Sequence, residues 1–160
     1  MIKNIFTSVL LAIIFVSCEQ KQEFIEITKG EEMDPKVSRI GIQINNRNEV
    51  YICKEIIENN ERTGRYDFYR YKNHINFDYF KNKFLKLYKD TLEVPKVSDG
   101  EYNLLSYKLN NKNYKAIIFT DILSNEQRDV FYEIINLSRK KPQEKIIFHK
   151  FETKLLLEKN

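Results

Sequence analysis

Residues 65–72 read Arg65-Tyr66-Asp67-Phe68-Tyr69-Arg70-Tyr71-Lys72, and residues 77–88 read Phe77-Asp-Tyr-Phe80-Lys-Asn-Lys-Phe84-Leu-Lys-Leu87-Tyr88. The hydrophobic period changes between these runs. The first is aromatic-rich, as pleated strands prefer. In the second, Phe77, Phe80, Phe84, Leu87 and Tyr88 recur at spacings of three and four. Lys81, Lys83, Lys86 and Lys89 point largely elsewhere. The spacing predicts an amphipathic helix over 77–89, with Asn76 as its N-cap.

Upstream, Ile40, Ile42 and Ile44 alternate on one face of a strand, and Asn45-Asn46-Arg47-Asn48 is a turn. Residues 49–54 return as a second strand, and 55–64 read as a polar loop ending in Asn59-Asn60 and Gly64. Downstream, Pro95, Asp99 and Gly100 break the chain. Residues 102–109 and 114–120 form a hairpin around Asn110-Asn111-Lys112-Asn113. A second helix starts at Ser124, where Gln127 completes a capping box. Val130, Phe131, Ile134, Ile135 and Leu137 form its apolar side. Arg139, Lys140 and Lys141 suit a helix C-terminus, and Pro142 stops continuation. Residues 145–157 read as a final long strand.

This order of strands, helix, strands, helix, strand predicts an α+β fold. An antiparallel sheet carries both helices on one face, because their apolar stripes need cover. Residues 43–52 and 108–117 share Asn-Asn-x-Asn followed by a final Ile. Two readings stand: a duplicated ββα unit, or convergence of two Asn-rich hairpins.

The chain has 160 residues, enough for one domain, placed at 37–160. Hydrophobic residues make up 42% and charged residues 31%, which excludes collagen-like, polytopic membrane and mostly disordered classes. The net charge of +4 lacks the clustered excess of nucleic-acid binders, so no nucleic-acid partner is expected.

The N-terminus is an address. Lys3 precedes an uncharged run from Ile5 to Val16. As a helix that run spans roughly 18 Å, short of a hydrocarbon core of about 30 Å, so 1–17 read as a signal peptide. Phe15-Val16-Ser17-Cys18 then meets polar Glu19-Gln20-Lys21-Gln22. This resembles a bacterial lipobox, although Phe15 stands where that pattern prefers Leu. The resemblance implies cleavage before Cys18, lipid on its thiol and acylation of its new amino group. Two or more acyl chains anchor a protein stably to a membrane.

Residues 18–36 then read as the lipidated Cys and a flexible tether, acidic and interrupted by Gly30 and Pro35. Phe24, Ile25 and Ile27 stand out within it as a short strand or a docking segment. Acidic residues after Cys18 resemble the surface-export signals of Bacteroidetes-type lipoproteins. The layout from 37 to 140, with the aromatic strand after Gly64 and the Tyr88-Lys89-Asp90 helix end, is similar to small lipoproteins of that group with domains of unknown function. The resemblance implies a cell-envelope location, on the outer membrane, and supplies no activity.

Chemistry is sparse. With Cys18 lipidated, Cys53 has no intramolecular partner; its apolar surroundings suit a small buried hydrophobe. His74 and His149 are 75 positions apart, in no metal-ligand spacing, and read as a turn residue and a strand residue. No G-x-S-x-G and no glycine-rich phosphate loop is present. No metal, cofactor or catalytic residue is therefore expected. Arg65, Tyr66, Tyr69, Arg70 and Tyr71 mix cations with aromatics. They read either as a patch for an acidic partner, glycan or phospholipid headgroup, or as an ordinary solvated strand face. The expected function is a non-catalytic binding or structural role in the cell envelope. The alternatives are an immunity or inhibitor protein that neutralises a toxin or hydrolase, and a small hydrolase.

Overall fold

The computed structural model describes residues 22–30, 35–89 and 102–153. The expected signal peptide at 1–17, Cys18, the breakers at 95, 99 and 100 and the end of the expected last strand lie outside the described residues. Seven strands form one sheet: β1 (Phe24–Lys29), β2 (Ile40–Asn45), β3 (Val50–Glu58), β4 (Glu61–Tyr71), β5 (Tyr102–Leu109), β6 (Lys112–Phe119) and β7 (Gln143–Ile146). Their spatial order is β6-β5-β1-β2-β3-β4-β7. Every neighbouring pair is antiparallel. Two α-helices complete the fold, α1 (Phe77–Lys89) and α2 (Asn125–Ile135).

The α+β prediction holds, with both helices on one sheet face. Ile25 and Ile27 of β1, Ile42 and Ile44 of β2, Val50 and Ile52 of β3, and Leu105 and Tyr107 of β5 share one core with the helices. Phe77, Phe80, Phe84 and Leu87 of α1 and Val130, Phe131 and Ile134 of α2 close over them. The three-and-four spacing read in the sequence is the spacing that meets this face. Asn76 caps α1 by accepting from the Tyr79 amide at 3.0 Å. The capping box at Ser124 and Gln127 forms in both directions. Lys83 of α1 pairs with Glu133 of α2, tying the helices together.

Three expectations change. The segment expected as a tether contains β1, which lies between β5 and β2 inside the sheet. Its alternation of Phe24, Ile25, Glu26, Ile27 and Thr28 is buried on both faces. The expected loop at 55–64 is instead the tip of a longer hairpin. Asn59 and Asn60 both take positive φ, and Glu58 pairs directly with Glu61. A two-residue turn with two left-handed residues matches the twist of its strands, and Asn tolerates that region. The last strand stops at Ile146, and the chain then leaves the sheet edge.

The duplicated ββα unit is not what the structure displays at 43–52 and 108–117. The first turn is a longer loop with Asn48 at φ 60°, while the second is the tight Asn110-Asn111 pair at φ 50° and 64°. In conformation Asn110-Asn111 matches Asn59-Asn60.

Candidate functional site

The face of the sheet opposite the helices carries a polar patch beside the apolar Cys53 and Phe68. Glu26 and Thr28 of β1, Gln43 of β2 and Glu55 of β3 lie there, and all are buried. Residues 147–153 run over Gln43, Glu26 and Thr28. This segment leaves β7 and crosses the strands in turn. Phe148 meets Phe68 of β4 edge-on, with ring centroids 5.2 Å apart. The His149 ring stacks on Tyr51 of β3 at 3.6 Å. The Lys150 carbonyl accepts from Gln43 Nε2 of β2 at 3.3 Å. Glu152 and Thr153 then reach Glu26 of β1. Three interstrand steps of about 4.8 Å need about 14 Å, which extended residues 148–152 supply at about 3.3 Å each.

A strap that crosses strands cannot join their hydrogen-bond ladder, because ladder groups lie in the sheet plane. Its amides need side-chain acceptors, since a buried unpaired amide is costly. Glu26 is that acceptor. Its Oε2 accepts from the Glu152 amide at 2.9 Å and from Gln43 Nε2 at 2.7 Å. Its Oε1 accepts from the Thr153 amide at 2.8 Å. Thr28 and Thr153 hydroxyls meet beside it at 2.5 Å. Gln43 Nε2 donates to two acceptors, so Gln43 Oε1 must accept. His149 Nε2, 2.7 Å away, therefore carries the ring proton.

Burial sets the protonation of the cluster. It pushes the Glu26 carboxyl above the ordinary carboxylate range, and the bonds from Glu152, Gln43 and Thr153 only partly oppose this. It holds His149 down to about 4, against the pull of the nearby Glu49 carboxylate. Cys53 sits in a small cluster with Phe68 and Phe151. Burial, then the charges of Glu26 and Glu55, push its thiol well above the ordinary cysteine range. A thiol so placed is a poor nucleophile. It is the buried hydrophobe that its sequence context suggested.

The five residues read as a patch do not form one surface. Strand alternation sends Tyr66 to the Cys53 cluster and Tyr69 and Tyr71 to the helix-side core. Arg70 pairs with Glu144 of β7 at 2.9 Å. Arg65 pairs with Glu58, both exposed. Lys54 lies over the Tyr69 ring at 5.2 Å. Each thus has a packing or pairing partner of its own. His74 is exposed in the connection before α1, as a turn residue would be. Among the described residues no group of three His, Cys, Asp or Glu side chains is placed to hold a metal ion. No helix among them is long and apolar enough to cross a membrane.

The strap and its acceptor escaped the sequence reading. Glu26 and Gln43 look like the solvated half of alternating strands. Only the register, which sets Glu26 opposite Gln43, and the return of the chain 126 positions later reveal the clasp. Set beside known proteins, the chain matches no family model, no curated protein and no solved structure.

Proposed function

We propose that this chain is a lipoprotein of the cell envelope, held on a membrane by lipid on Cys18, with a domain that binds or scaffolds and does not catalyse. One observation carries the reading: an uncharged run from Ile5 to Val16 meets Ser17-Cys18 and turns polar at once. That arrangement resembles a bacterial lipobox, and the resemblance implies lipid on Cys18. The use of the reactive side chains supports the second half of the reading. Glu26 holds the strap, His149 stacks on Tyr51, and Cys53 packs in a core.

The test is intact mass and fractionation of the natively expressed protein beside a Cys18→Ser variant. Wild type is expected to gain acyl mass and to pellet with membranes, and the variant to do neither. A soluble, unacylated wild type overturns the reading and makes a secreted factor the leading idea.

A further inference from the structure

The antiparallel register gathers particular loops at one end of the sheet. β1 starts there, beside the end of β2 and the end of β5. β3 starts there, β4 ends there, and β6 and β7 start there. Cross-links confirm the grouping. The Asn46 amide donates to the Glu23 carbonyl at 3.0 Å, and the Lys72 amide to the Pro142 carbonyl at 3.3 Å. The Asn110 amide donates to Glu23 Oε1 at 2.9 Å. The Phe77 amide donates to Asn48 Oδ1 at 3.0 Å.

The exposed charges at this end are mostly basic: Arg47, Lys72, Lys112, Arg139, Lys140 and Lys141. They are spread over seven strands, a rim about 29 Å wide at about 4.8 Å per strand. The acidic side chains nearby, Glu23, Glu49, Glu144 and Asp78, are fewer than the basic ones, and Lys72 is shared with Glu144. Glu23 holds Asn110, Glu49 accepts from Asn45 and Tyr51, Glu144 pairs with Arg70 and Lys72, and Asp78 pairs with Lys81. The opposite end mixes signs, with exposed Glu58, Glu61, Asp121 and Glu126 among Lys36 and Arg65.

The rim is also where the chain runs back toward Cys18. Phe24 is six positions from Cys18, and six steps of extended chain reach at most about 20 Å. A domain tied that closely presents the end nearest its anchor to the membrane. We propose that this basic rim is a docking face for anionic phospholipid headgroups, whose phosphates it binds. The proposal rests on the lipoprotein reading. The charges add an electrostatic hold to the lipid anchor and set the domain upright on the bilayer.

The test uses the acylated protein in phosphatidylcholine vesicles, with and without about one third phosphatidylglycerol. Asn73→Cys places a fluorophore on the rim and Glu61→Cys places one on the opposite end. Buried Cys53 stays unlabelled. A headgroup-attached quencher should quench the rim probe several-fold more than the distal probe on anionic vesicles. That ratio should fall toward one in about 0.5 M salt, where screening shortens the reach of charge. It should fall likewise in Lys112→Glu/Lys140→Glu/Lys141→Glu, whose melting should match wild type because all three are exposed. Vesicle-bound protein with equal quenching on both lipid mixtures overturns the docking face and leaves the anchor standing. Protein without acyl mass that fails to float with neutral vesicles overturns the anchor, and the docking face with it.

Discussion

Glu26 and His149 sit two hydrogen bonds apart, and burial pushes their protonation in opposite chemical directions. His149 is held at about 4 in the fold and titrates near 6.5 when unfolded. Between those values the unfolded chain binds more protons, so stability is lost as pH falls from about 6.5 through about 4. Glu26 is raised above its unfolded value of 4.5, so its contribution is lost as pH rises above that value. The groups facing His149 are Tyr51, Gln43, Phe151 and the Glu49 carboxylate. The full His149 shift corresponds to about 3 kcal/mol, which partial solvent exposure cuts to on the order of 1 kcal/mol. His149→Phe keeps a ring on Tyr51 and removes the proton site. Urea midpoints at pH 7 and pH 4 should therefore differ less in the variant than in wild type. An equal acid loss in both would mean that His149 is solvated and titrates normally in the fold. None of this was legible from residues 24–28 or 147–151, because alternation in a strand says which residues share a face and not what covers it.

At the scale of the element, local chemistry was legible and distant chemistry was not. Helix α2 announced itself because Ser124 and Gln127 bond to each other's backbone within one turn. Ser124 is exposed, so Ser124→Ala removes the cap and little else. It should lower the unfolding free energy by about 1 kcal/mol, read from urea denaturation at constant slope. No change would mean that water caps the helix equally well. The β3–β4 hairpin carried an equally local signal in Asn59-Asn60, and there the longer polar stretch around it obscured the turn. The C-terminal strap is different in kind. Residues 147–150 have the apolar-rich look of a strand, yet a seventh strand of that length would leave the buried carboxylate of Glu26 without amides. The choice between strand and strap is made by a residue of β1, far away in sequence.

For the whole molecule the decisive fact is that the first strand is a central one. β1 pairs with β2 on one side and β5 on the other, so it joins the β2–β3–β4 meander to the β5–β6 hairpin. Its inner face buries Ile25 and Ile27 fully, each contributing about 2–3 kcal/mol. Its outer face supplies the strap's acceptor. An ordinary domain has only about 5–15 kcal/mol of net stability, and losing both ladders, both Ile side chains and the clasp exceeds that margin. A tether, by contrast, contributes nothing to folding. Deleting residues 19–36 while keeping residues 1–18 should thus abolish the fold. Thermal unfolding followed by circular dichroism is expected to lose its cooperative transition in that variant. A retained transition at an unchanged midpoint would return β1 to the tether and leave Glu152 and Thr153 in need of another acceptor. The acidic composition of residues 19–36 concealed this role, because charge density argues for solvation while the alternation at 24–28 argues for a sheet. In a chain tied at Cys18 the consequence is mechanical. β1 has a neighbour on each side, so force from such a tie would enter the sheet at an interior strand and not at a frayed edge.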